Sequence, residues 1–138
     1  MWWVYAILSA FFASLTAIFA KIGITGVNSN LATAIRSIII LFVAWGIVLA
    51  RSEYKGIPAL SRQNMIYIVI SGLATGLSWI FYFKALQTGK VTQVAPVDKL
   101  SVALTIFLSV IFLGESLTIK TVIGALLLIA GTVMLIFE

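Results

Sequence analysis

The sequence predicts an all-α integral membrane protein built as a bundle of five transmembrane helices, and three observations predict it. Hydrophobic residues fill 62% of the 138 positions and charged residues only 9%, where soluble domains carry about 25% charged residues. The apolar residues gather into five runs, each close to the roughly 20 residues that carry a helix across a bilayer. The runs do not alternate apolar and polar residues over about ten positions, as the strands of a membrane barrel do.

The runs follow in order as helices at about residues 2–23, 31–50, 65–83, 91–113 and 117–137. The first, "WWVYAILSAFFASLTAIFAKIG", lacks the basic start and small-residue cleavage site of a signal peptide, so it is expected to remain a helix. "ITGVNSN" separates it from "LATAIRSIIILFVAWGIVLA". The polar stretch "RSEYKGIPALSRQN" precedes "MIYIVISGLATGLSWIFYF". "KALQTGK" and "GES" bound "VTQVAPVDKLSVALTIFLSVIFL", and "LTIKTVIGALLLIAGTVMLIF" ends the series. These separators carry Gly, Pro, Asn and Ser, the residues of turns and caps. Residues 1–138 therefore read as one domain with no fused soluble part.

Composition removes several classes of function. There is no Cys and no His, which excludes disulfides, thiolate or imidazole metal sites and Cys- or His-based catalysis. No cofactor or metal is expected. The four acidic residues, Glu53, Asp98, Glu115 and Glu138, do not pair into an acid–base site, so no enzyme is expected. The net charge of +5 comes from basic residues spread among apolar runs, which is no nucleic-acid footprint. In a membrane protein such residues report orientation. Arg51, Lys55, Arg62 and Lys120 fall on the side of the 51–63 loop, and Lys84 and Lys90 on the other. Four against two favours a cytoplasmic 51–63 loop. Adding Lys21, Arg36 and Lys99, which lie just inside the opposite face, reverses the count to five against four. Such a balance is compatible with insertion in both orientations.

The intramembrane ionisable residues are the candidate site, because a charge within a span costs several kcal/mol by insertion scales. Arg36 is the sixth residue of the second run and Asp98 the eighth of the fourth. Both runs start from one side, so both residues lie on the order of 10 Å from their helix starts. Lys21 ends the first run on that side too. Lys21, Arg36, Asp98 and Lys99 thus share one leaflet. Facing inward, they would form a polar cavity with excess positive charge, suited to an anionic or zwitterionic substrate. The bland alternative is that Lys21 and Lys99 snorkel and Arg36–Asp98 is a structural pair. Pro96 lies two residues before Asp98 and frees the carbonyl of Thr92. That kink suits a moving or ligand-binding helix, unless a neighbouring Ser or Thr closes it statically. Lys99 lies about 100° around a continuous helix from Asp98, which would give the two separate roles. Asp98, Ser101, Thr105 and Ser109 form a polar stripe. Gly72 with Gly76, and Gly124 with Gly131, suit close helix packing. Trp2, Trp3, Tyr5, Trp79 and Tyr82 sit near helix ends, where interfacial anchoring is the ordinary role; Trp79 and Tyr82 could line the cavity on the leaflet of Arg36.

Several marks in order resemble the EamA domain of the drug/metabolite transporter superfamily. They are Ala85, Leu86 and Gly89, then Pro96, then "FLGE" at 112–115, then Gly124 and Gly131, with "AKIG" and "ATAIR" at 32–36 fitting the first half. The resemblance implies a five-helix repeat that moves small metabolites or drugs across the cell membrane, as a multi-pass exporter. Members usually carry two such domains, and this chain has one. An odd number of spans inverts a tandem copy, so a single copy regains that arrangement only by pairing. An antiparallel homodimer, or a heterodimer with an inverted homologue, is expected. In this reading Arg36 and Lys21 hold a substrate carboxylate or phosphate, with Trp79 and Tyr82 beside them. Asp98, Pro96 and Lys99 couple or gate an alternating-access cycle. Three alternatives stand beside it. A flippase subunit for an anionic lipid-linked substrate fits the positive cavity. A small multidrug-resistance-type exporter fits the size, but has four spans and an acid in the first. A non-transporting membrane subunit would tolerate an apolar replacement of Arg36 and Asp98.

Overall fold

The computed structural model describes residues 1–137; the proposed domain end at Glu138 lies outside the described residues. Helix α1 runs Trp2–Gly23, α2 Ser29–Ala50, α3 Arg62–Thr88, α4 Val91–Asp98, α5 Leu100–Leu113 and α6 Ile119–Ile136, with a 3-10 segment at Glu53–Ala59. No strand occurs among the described residues. Five stretches are long and apolar enough to cross a membrane, α4 and α5 together forming one of them, Val91–Leu113. The protein is an all-α membrane protein.

Most large apolar side chains on these helices are exposed, Phe42 at 71% and Phe112 at 78% among them. In water that surface would drive aggregation. In a bilayer it faces hydrocarbon, while the helices satisfy their own backbone groups.

Local chemistry explains where the helices depart from expectation. Helix α2 starts at Ser29 rather than 31 because the Asn28 side chain accepts hydrogen bonds from the N–H groups of Asn30 (2.9 Å) and Leu31 (3.3 Å). Helix α3 extends beyond 65–83 at both ends. Ser61 Oγ accepts from the Asn64 N–H at 3.1 Å and sets the start. At the other end Lys84, Ala85, Leu86 and Gln87 are all good helix formers, and Leu86 is fully buried. At 27 residues, α3 is about 40 Å long, so it projects past a hydrocarbon layer of about 30 Å. The polar "RSEYKGIPALSRQN" stretch is not all turn: Glu53–Ala59 forms the 3-10 segment, which packs on α2.

The fourth span is two helices rather than one. Lys99 separates them with φ −72° and ψ −9°. Its N–H donates to the Pro96 carbonyl at 3.0 Å, and the Val102 N–H donates to the Lys99 carbonyl at 3.0 Å. Both bonds reach back three residues, so the chain tightens at the break rather than looping out. Helix α5 ends at Gly114, φ +67°, with the Glu115 N–H donating to the Ser109 carbonyl at 3.4 Å. That left-handed residue suits glycine and gives "GES" its turn. Thr118 accepts from the Thr121 N–H at 3.2 Å, so α6 begins at Ile119 rather than 117.

The chain forms two compact units, residues 20–87 and residues 1–19 with Thr88 onward. In the second, α4 and α5 both pack on α6. Leu100, Ala103, Ile106 and Val110 of α5 are half-buried at helical spacing, as are Ala125 and Leu128 of α6 beside buried Thr132. Gly72, Gly76, Gly124 and Gly131 do not mark close helix approaches in the structure: a Cβ added at any of them meets nothing within 4 Å.

Candidate functional site

In residues 20–87, Arg36 projects from α2 onto α3. Its guanidinium carbon lies 4.7 Å from the centroid of the Trp79 ring and 5.0 Å from that of Phe83. Trp79 and Phe83 are four residues apart, hence on one face of α3. The Phe83 ring is buried at 2% exposure, while Arg36 and Trp79 are half-buried. The Tyr82 ring packs edge-on to Phe83 with centroids 6.3 Å apart. Cation–π contact holds the guanidinium over the ring faces. Its five N–H donors point from the edges. The unit's one acidic residue, Glu53, sits against Arg51 at 3.7 Å. Arg36 therefore has no carboxylate partner within its unit, and its donor edge suits a planar anion.

Lys21 lies at the end of α1. Its ammonium donates to the Leu86 carbonyl at 2.6 Å. Leu86 is in the last turn of α3, where four carbonyls lack helical partners. Lys21 thus ties the end of α1 to the end of α3. Gln87 adds a second tie, its amide donating to the Val27 carbonyl at 2.8 Å. Below them Thr33 and Ser29 of α2 are buried, with the Thr33 hydroxyl donating to the Ser29 carbonyl at 2.9 Å.

In the other unit, Asp98 is the last residue of α4 and its carboxylate meets Lys99 Nζ at 3.1 Å. On an unbroken helix the two would diverge. Because the helix breaks between them, the long Lys99 stem folds back onto its neighbour. Pro96 lies inside α4, and its carbonyl accepts from the hydroxyl of Thr132 at 3.3 Å as well as from the Lys99 N–H. The polar stripe is turned inward on its own helix: Thr105 donates to the Ser101 carbonyl at 2.8 Å and Ser109 to the Ile106 carbonyl at 2.9 Å.

Three participants escaped the sequence reading. Phe83 was detectable as the i+4 partner of Trp79. Thr132 and Gln93 were not, since each acts on a carbonyl distant in sequence and nothing local marks it. Among the described residues no cluster of acidic side chains could hold a metal ion.

Helices long enough to span the bilayer, with an arginine held inside one span and a second span broken at Lys99, define a polytopic membrane protein. The chain belongs to the EamA-like transporter family, whose model matches residues 1–137. It is 42% identical over 134 residues to a Sinorhizobium protein named "uncharacterized transporter in cobO 3′ region", covering 97% of this chain and 95% of that one. It is 32% identical over 83 residues to uncharacterized protein MJ1333.1 of Methanocaldococcus jannaschii, covering 60% of this chain and 61% of that one. No solved structure matches. The protein is a membrane transporter.

Proposed function

We propose that the protein exports small anionic metabolites or drugs across the cell membrane by alternating access, as a dimer of five-span units, with no enzymatic step. One observation carries the anionic specificity: Arg36 rests on Trp79 and Phe83 with its N–H edge unspent and no carboxylate partner in its unit, whose one acid, Glu53, sits against Arg51. A substrate carboxylate or phosphate would take that edge in a two-pronged contact. Trp79 and Tyr82 would flank it, and Lys21 would hold the ends of α1 and α3 in place around it. Asp98, Lys99 and Pro96 would serve the cycle: opening of the Asp98–Lys99 pair couples proton uptake to the movement of α4.

The span number supports a dimer. One five-span copy needs an inverted partner to make the two-fold arrangement of an inverted repeat. The Sinorhizobium relative supports a one-copy unit, since this chain covers 95% of it. The near-even Lys/Arg balance favours an antiparallel homodimer, with a heterodimer with an inverted homologue as the other form.

Everted membrane vesicles carrying the protein test the reading with a panel of radiolabelled carboxylates and organophosphates. At least one anion should accumulate above empty-vector vesicles. The reading fails if no anion does while an organic cation does. Reporter fusions at the C-terminus should score on both sides of the membrane; a single fixed side, with no inverted homologue encoded beside it, removes the homodimer.

A further inference from the structure

The unit formed by residues 1–19 and Thr88 onward contains a clasp that no sequence motif announces. Two side chains cross between α4 and α6, and each ends on a backbone carbonyl. The Thr132 hydroxyl of α6 donates toward the Pro96 carbonyl of α4 at 3.3 Å. The Gln93 amide of α4 donates to the Ile136 carbonyl at the end of α6 at 3.2 Å. The two contacts lie about one helical turn apart along α4.

The chemistry of each bond is that of a reversible contact. Thr132 is 4% exposed, and its one hydroxyl proton has two acceptors. The Leu128 carbonyl of its own helix is the closer, at 2.9 Å. If α4 moves away, the hydroxyl keeps Leu128 and no buried donor is orphaned, the outcome that makes breaking most buried bonds costly. The Pro96 carbonyl likewise keeps the Lys99 N–H at 3.0 Å. The Gln93–Ile136 contact is exposed, so water or lipid headgroups can replace it. The break at Lys99 separates α4 from α5, so α4 has a joint about which to turn while α5 stays packed on α6. Asp98 is the last residue of α4 and travels with it.

We infer that α4 is a two-position segment jointed at Lys99, and that Thr132 and Gln93 are positioning residues that set how much of it is docked on α6. The inference concerns the docking of α4 and stands whatever the transported substrate is.

Because the chain has no Cys, spin labels can be placed without background. Labels on Val97→Cys of α4 and Val133→Cys of α6 flank the clasp at exposed positions. Labels on Leu108→Cys and Ile123→Cys report α5 against α6 in the same way. In the full-length protein in nanodiscs, dipolar broadening between the 97/133 labels measures the docked fraction. Thr132→Val, which keeps the branched shape and removes the hydroxyl, should raise the released-to-docked ratio about two- to threefold, the low end for one neutral hydrogen bond because the Pro96 contact is the longer arm of a shared proton. Thr132→Ser should restore the docked fraction, and the 108/123 pair should not change. Gln93→Leu should raise the ratio in the same direction, which keeps the test open should Thr132→Val fail to fold. The inference is overturned if Thr132→Val and Gln93→Leu leave the 97/133 broadening unchanged. It is equally overturned if Thr132→Ser behaves like Thr132→Val, or if the 108/123 pair loosens in parallel.

Discussion

In residues 20–87 the intramembrane cation sits over two aromatic rings with its donors unspent, whereas in the unit of residues 1–19 and Thr88 onward an acid and a lysine neutralise each other across one peptide bond. The two arrangements solve the same problem, a charge inside a span, with different consequences. A π face lowers the cost of burying a guanidinium but leaves its hydrogen-bonding capacity available. An adjacent Asp–Lys pair uses up both charges locally. The first arrangement is suited to receiving a ligand and the second to changing state without one. The long-range contacts follow the same division. Lys21 and Gln87 fasten helix ends around Arg36, while Thr132 and Gln93 hold a helix segment that ends at Asp98.

The largest expected effect breaks the comparison on the Arg36 side. Arg36→Ala should weaken binding of the best-transported anion about 10- to 150-fold, the equivalent of about 1.5–3 kcal/mol for hydrogen bonds to a charged group. Arg36→Lys keeps the charge but loses the fork and the stacking on Trp79 and Phe83, so it should recover only part of the loss. Calorimetric titration of the purified variants measures both. Wild-type affinity in Arg36→Ala would remove Arg36 from the site.

Asp98 gives the next effect, on different observables. Asp98→Asn leaves Lys99 unpaired within a span, where a central charge costs roughly 2.5–3.5 kcal/mol on insertion scales and less toward the ends. The yield of inserted protein should fall, and transport should lose its pH dependence. The double variant Asp98→Asn with Lys99→Gln removes both charges, so yield should return while the pH dependence stays absent. Anion affinity should be unchanged in both. Transport by the double variant that still follows pH would show that Asp98 does not carry the proton.

The sequence conveyed the spans well and the contacts between them poorly, for a physical reason. Five apolar runs and their separators are local properties, and Asn28, Gly114 and Thr118 mark helix ends through bonds to residues at most five positions away. Arg36 and Asp98 stood out because a charge in a span is rare. The break at Lys99 was half legible: Pro96 announced a kink, but the tightening onto Pro96 and Val102 depends on bonds the sequence does not reveal. The extension of α3 to Thr88 was hidden because Lys84 and Gln87 interrupt the apolar run, although both are good helix formers. They stay helical beside a buried Leu86, whose carbonyl is met from α1. Lys21 was visible as a charge but not as a cap, since its acceptor lies 65 residues away.

The smallest expected effect sharpens the comparison by a control outside the spans. Arg51 and Glu53 are joined by a single contact at 3.7 Å, with side chains 72% and 52% exposed. Two long, solvated side chains gain little from such a pair, because water screens the attraction and ordering them costs entropy. Glu53→Gln should therefore change stability by less than about 0.5 kcal/mol, read as the midpoint of thermal unfolding in detergent at low and high salt. It should leave anion affinity and the docking of α4 untouched. A drop in affinity would mean that Glu53 helps to place Arg36 through α2, on which its 3-10 segment packs. The charge balance of residues 20–87 would then have to be reckoned as a whole rather than at Arg36 alone.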